Sequence, residues 1–151
     1  MKILLGADHA GFELKNKIKA FLSSSSEKYS IEDMGAHELN ATDDYPAILA
    51  PLAIKVAEQP EEYKAIIFGG SGQGEAMVCN RFPGVRAAVY YGSNLDIIKL
   101  SREHNDSNVL SIGARFVDEK QAIEAVSLWL ETTFSKDERH IRRINMLDNI
   151  E

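Results

Sequence analysis

Five short apolar segments alternate with amphipathic ones, the connections between them are short, and the most apolar segment runs into a glycine-rich turn. These observations predict an α/β fold: a Rossmann-like three-layer α/β/α sandwich with a five-stranded parallel sheet and a C-terminal helix. The 151 residues fit one domain spanning 1–151, because a chain of this size buries roughly 70% of its unfolded surface around a single core.

Lys2 to Gly6 reads as the first buried strand. From Phe12 to Leu22 the apolar residues Phe12, Leu14, Ile18, Phe21 and Leu22 stand among lysines, the spacing of an amphipathic helix. Ser23 to Ser26 is its exit, Tyr29 to Met34 a weaker strand, and a polar loop runs through Gly35 to Asp43-Asp44. Tyr45-Pro46 opens a helix to about Glu58, proline being tolerated in a first turn, where its missing amide hydrogen is not needed. Ala65 to Phe68 is the strongest buried-strand signal, followed by a helix from Glu75 to about Arg81. Strands at Arg86–Tyr91 and Asn108–Ile112 flank a helix at Asn94–Glu103, and a long helix runs from Asp118 to about Thr133. Residues 136–151 carry Ile141, Ile144, Met146, Leu147 and Ile150 among charges, which predicts a helical extension that reaches a partner subunit.

Composition narrows the function. With 17 Lys+Arg against 23 Asp+Glu, a formal charge of −6 argues against general binding to nucleic acid or anionic membranes. No apolar run approaches the roughly 20 residues of a membrane helix, and the stretch before Asp8 is too short for a signal peptide. A lone Cys79 forms neither an intrachain disulfide nor a multi-cysteine metal cluster, so a cytoplasmic setting is expected.

Open parallel sheets bind ligands beyond the carboxyl ends of their strands, where the strand order reverses. In the common order 2-1-3-4-5, strands one and three are neighbours there, and Asp8, His9, Ser71 and Glu75 share one crevice. Four glycines between Gly69 and Gly74 let the backbone approach a ligand and turn amides inward, as an anion cradle requires. A tight packing turn explains the same glycines equally well. The loop lacks the lysine of a nucleoside-triphosphatase loop, and Gly70-x-Gly72-x-Gly74 reaches its third glycine one residue too early for a dinucleotide site. Glu75 is either a carboxylate placed by the helix dipole or a base whose pKa a dry pocket raises; nothing local separates the two. His9 is a candidate anion-binding imidazole. His104 precedes strand five, which puts it away from the glycine loop, so a joint site needs a second chain. Arg139, His140, Arg142 and Arg143 have the spacing of one helix face. Cys79 lies among apolar helix neighbours and reads as a buried structural thiol.

Gly6-Ala7-Asp8-His9-Ala10-Gly11, Asp44-Tyr45-Pro46, Gly69 through Glu75, Gly84-Val85-Arg86-Ala87, Ser101 through Asp106, and Arg139-His140 with Arg143 together resemble the type B ribose-5-phosphate isomerase and galactose-6-phosphate isomerase family. The resemblance covers nearly the whole chain in order. It implies aldose–ketose isomerisation through a cis-enediolate, without metal or other cofactor, at two active sites shared across a homodimer; pairing of dimers into a tetramer is left open. It implies that Ser71 and the amides from Gly70 through Gly72 to Gly74 hold the enediolate oxygens. One branch of the family uses a cysteine base where this chain has Gly69. The other has glycine there and a glutamate at the position of Glu75, and this chain is similar to that branch. By the same likeness His104 opens the sugar ring and Asn105 binds an enediolate oxygen from the partner subunit. His9, Arg115, Arg139 and Arg143 grip the phosphate, while Asp8 and Tyr45, with Asp44, contact sugar hydroxyls or order the site. Ribose 5-phosphate and ribulose 5-phosphate are the expected pair. A six-carbon sugar phosphate, of galactose or allose, is the alternative within the same chemistry. A noncatalytic phosphosugar-binding module and a flavodoxin-like nucleotide binder are the alternatives outside it.

Overall fold

The structure, a computed structural model, describes residues 1–24 and 28–150. In chain order its elements are β1 (Lys2–Ala7), α1 (Phe12–Ser23), β2 (Ser30–Asp33), α2 (Tyr45–Glu58), β3 (Tyr63–Gly69), α3 (Gln73–Cys79), β4 (Ala87–Tyr90), α4 (Asp96–Glu103), β5 (Val109–Gly113), α5 (Glu119–Glu131) and α6 (Glu138–Leu147). Each expected strand and helix forms, with ends shifted by a few residues. Ser25 and Ser26 of the expected serine exit lie outside the described residues.

The sheet is parallel throughout, but its order is β2-β1-β3-β5-β4, not the expected 2-1-3-4-5. Burial explains the exchange. All five residues of β5 are buried, whereas in β4 only Tyr90 is. A strand apolar on both faces belongs in the interior of a sheet, and the half-exposed one at its edge. Asn108 fixes the insertion: its carbonyl accepts from the Ala65 amide at 2.9 Å, and its side-chain oxygen from the Arg86 amide at 2.8 Å. The loop after β5 therefore lies beside the glycine loop after β3.

Alternation along the strands divides the core. Ile3, Leu5, Ile66, Phe68, Leu110 and Ile112 pack against α1, α4 and α5, with Trp129 fully buried among them. Leu4, Ala65, Ile67 and Val109 pack against α2 and α3. Fully burying a side chain such as Leu4 or Leu5 contributes about 1.5–3 kcal/mol, so these strands are what hold the loops in place. Helix α2 continues through Pro51, where both Pro51 and Ala47 are exposed and water can satisfy the carbonyl that proline leaves unpaired. Helix α5 starts at a reciprocal cap: the Asp118 carboxylate accepts from the Gln121 amide at 2.8 Å, and the Gln121 side chain accepts from the Asp118 amide at 2.9 Å.

Lys15 is fully buried, and it donates to Asp33 at 2.7 Å and to the Ala36 carbonyl. This bond ties α1 to the end of β2. Helix α6 stands off the sheet, with His140 its one buried residue. Among the described residues no helix is long and apolar enough to cross a membrane.

Candidate active site

Strand β1 delivers Asp8 to the carboxyl end of the sheet, where the Asp8 amide donates to the Phe68 carbonyl at 3.1 Å and locks the β1 and β3 ends together. The Asp8 carboxylate accepts from the Gly11 amide at 2.8 Å, closing the turn into α1. Asp8 is buried.

Strand β3 ends at Gly69, and the chain turns into α3 through Gly72, whose φ of 76° is the left-handed conformation that glycine adopts without strain. The Ser111 hydroxyl donates to the Gly72 carbonyl at 2.6 Å, pinning this turn from β5. The amides of Gly70, Ser71 and Gly72 donate to no acceptor among the described residues, so they are available to an oxygen of a ligand. Ser71 is exposed, and its hydroxyl accepts from the Gln73 amide at 3.3 Å.

Glu75 follows on the first turn of α3 and is 4% exposed. Its carboxyl lies directly on Gly69: a Cβ there would clash with the carboxyl carbon and both oxygens. Burial pushes the Glu75 carboxyl above its ordinary value; a hydrogen bond from its own amide opposes this, and the neighbouring Asp8 and Asp43 carboxylates add to it. The result is a buried carboxyl whose charged form is disfavoured.

Around it stand the remaining groups of this end of the sheet. The Tyr45 ring covers Gly74, where a Cβ would lie 2.8 Å from its hydroxyl oxygen. The Arg115 guanidinium lies over Gly70, and the Arg115 amide donates to the Gly70 carbonyl at 3.1 Å. His9 Nδ1 is 2.7 Å from an oxygen of Asp43. The sequence singled out Asp44 and passed over Asp43, yet Asp44 is exposed at the start of α2 while the Asp43 carboxylate is buried and pairs with His9. Neighbouring aspartates carry no signal in sequence as to which one turns inward.

His104 and Asn105 occupy the other end of the strands, ahead of β5. Arg102 and Asp106 shape their turn through an ion pair of 2.7 Å, with Arg102 also donating to the Ser107 carbonyl at 2.6 Å and to the Thr132 carbonyl at 3.2 Å. Arg86 donates to the Asn105 carbonyl at 3.0 Å. The His104 ring packs on His140, with centroids 4.3 Å apart, and His140 Nδ1 is 3.0 Å from the Ser135 hydroxyl. Arg139 and Arg143 are exposed on α6, and Arg139 has only a 3.9 Å contact with Asp137. One chain thus brings together Asp8, His9, Tyr45, Ser71, Glu75 and Arg115, and holds His104, Asn105, Arg139 and Arg143 apart from them. A groove of about 560 Å³ opens at this second end, between Arg86, Asn105 and Leu147.

Cys79 is fully buried, and burial together with the nearby Glu75 pushes its thiol up to about 12. It is the last residue of α3 and packs in the core cluster on the α2 side of the sheet.

The family profile described as Ribose/Galactose Isomerase matches residues 3–147. Ribose-5-phosphate isomerase B of Mycolicibacterium paratuberculosis is 38% identical over 151 residues, covering 100% of this chain and 92% of that protein. The crystal structure of ribose-5-phosphate isomerase B from Mycoplasma genitalium with bound ribulose-5-phosphate superposes with a TM-score of 0.90 at 31% identity, over 97% of this chain and 93% of that one. Ribose-5-phosphate isomerase B from Clostridium thermocellum gives a TM-score of 0.89 at 36% identity, over 98% and 95%. The fold and these relatives define an enzyme of the open parallel α/β class. More particularly, the chain belongs to the ribose/galactose isomerase family.

Proposed function

We propose that this protein interconverts ribose 5-phosphate and ribulose 5-phosphate through a cis-enediolate, with Glu75 as the base. The observation that carries this reading is the buried Glu75 carboxyl, held above its ordinary pKa and set on Gly69 in the loop whose three amides have no acceptor among the described residues. The names of the relatives and the ribulose-5-phosphate in the Mycoplasma genitalium structure support the choice of substrate.

In this mechanism the phosphate is held by His9, Arg115, Arg139 and Arg143, and Asp8 and Tyr45 contact the sugar hydroxyls. His104 opens the furanose ring. Glu75 then removes the hydrogen on C2, and the charge that develops on the carbonyl oxygen is met by the Gly70 to Gly74 amides, the Ser71 hydroxyl and Asn105. Returning the proton from Glu75 to C1, while one hydrogen passes from the C2 oxygen to the C1 oxygen, completes the ketose. General base catalysis of this kind contributes typically 10²–10⁴-fold, and one well-placed oxyanion donor about 10²–10³-fold. Because His104, Asn105, Arg139 and Arg143 lie away from Glu75 in one chain, the mechanism takes them from a second copy, as a homodimer with two shared sites.

Steady-state turnover over ribose 5-phosphate, galactose 6-phosphate and allose 6-phosphate tests the assignment. The highest kcat/KM is expected for ribose 5-phosphate; preference for a six-carbon substrate, or phosphosugar binding without turnover, would overturn it.

A further inference from the structure

We propose that Asp43 is a substrate-binding and positioning residue: one of its carboxylate oxygens fixes His9 through Nδ1, and the other accepts a hydrogen bond from a hydroxyl on the carbon chain of the sugar phosphate. The inference rests on the reading of this cleft as the sugar-phosphate site.

The Asp43 side chain is only 8% exposed, and its two oxygens differ. Oδ1 lies 2.7 Å from His9 Nδ1. Oδ2 is buried and has no hydrogen-bond partner among the described residues. An anionic oxygen withdrawn from water without a donor is costly and uncommon in a folded protein, so a donor from outside the chain is the natural complement. The phosphate of a substrate is itself an anion and would be repelled; a sugar hydroxyl is neutral and donates. His9 contacts Asp43 directly, the Asp43 and Asp8 charges both reach Glu75, and Tyr45 and Arg115 cover Gly74 and Gly70 of the adjoining loop. The Asp43 carboxylate also helps hold the Glu75 carboxyl above its ordinary value. Its hold on Nδ1 leaves His9 Nε2, which has no partner among the described residues, oriented for the phosphate.

Two variants separate the two roles. Asp43→Asn keeps an oxygen for the Nδ1 hydrogen but replaces the unpaired buried acceptor with a donor; Asp43→Ala removes both. Calorimetric titration uses ribitol 5-phosphate, a polyol phosphate that cannot isomerise, and inorganic phosphate. Asp43→Asn is expected to weaken ribitol 5-phosphate by about 10- to 100-fold and inorganic phosphate by less than about 3-fold, as loss of one charge-assisted hydrogen bond requires. Asp43→Ala is expected to weaken both. The unequal loss of the two ligands in Asp43→Asn is the readout that a purely structural aspartate would not produce. Wild-type affinity of Asp43→Asn for ribitol 5-phosphate would overturn the proposal, as would equal loss of both ligands. If wild-type protein neither binds ribitol 5-phosphate nor turns over ribose 5-phosphate, the reading of the cleft falls and this proposal with it. If wild-type protein does both and Asp43→Asn is unaltered, only the role of Asp43 falls.

Discussion

The carboxyl of Glu75 fills the volume that any side chain on Gly69 would need. The two positions are therefore coupled: a chain with the base on α3 must have glycine at the end of β3. Gly69→Ala is expected to displace Glu75, lowering kcat at least about 100-fold and costing about 1–3 kcal/mol of stability through overpacking. In a Glu75→Ala background the same substitution should cost much less stability, because the clash is gone. Urea unfolding of the four proteins measures this difference; equal costs in both backgrounds would contradict the coupling.

Glu75→Gln carries two expectations of opposite sign. Activity falls by roughly 10²–10⁴-fold if the carboxylate is the base. Stability rises near neutral pH, because burial raises the folded-state pKa of Glu75 and the charged form is disfavoured in the fold. The sign follows from linkage: this penalty is absent below the unfolded-state pKa and fully present above the raised folded-state pKa. The stability gain of Glu75→Gln should therefore appear as pH rises through that window and vanish in acid, as thermal melts at several pH values would show.

Asp33 works in the other direction. Burial pushes its carboxyl up, but hydrogen bonds from Lys15, Lys19 and the Gly35 amide outweigh this and hold it below the ordinary value. Its contribution to stability is present above the unfolded-state pKa and is lost as pH falls through the depressed folded-state pKa. Asp33→Asn leaves the fully buried Lys15 without its anion and is expected to cost about 3 kcal/mol at pH 7, read from the urea midpoint.

Cys79→Ala is expected to retain kcat and KM within about 2-fold, with a modest stability loss from the small cavity. Loss of turnover in folded Cys79→Ala protein would contradict the assignment of this thiol to packing.

The elements were legible in the sequence because they rest on local chemistry. Proline in the first turn marked the start of α2 at Tyr45, and the run Ala65 to Phe68 could hardly be anything but a buried strand. The exchange of β4 and β5 is not legible in any one segment, since strand order depends on which strand needs both faces covered, a comparison between Ala87–Tyr90 and Val109–Gly113. At the cleft, the glycine loop and Glu75 stood out by composition. Asp43 did not: its inward turn and its bond to His9 depend on how the loop before α2 folds back over β1.

In the proposed mechanism Glu75 carries the proton between the two carbons. Isomerisation of ribose 5-phosphate in deuterated water, followed by NMR, tests it most directly. Wild-type protein should place deuterium on C1 of the ribulose 5-phosphate formed, and folded Glu75→Gln protein should lose both turnover and exchange. Exchange at the wild-type rate in Glu75→Gln would contradict the account.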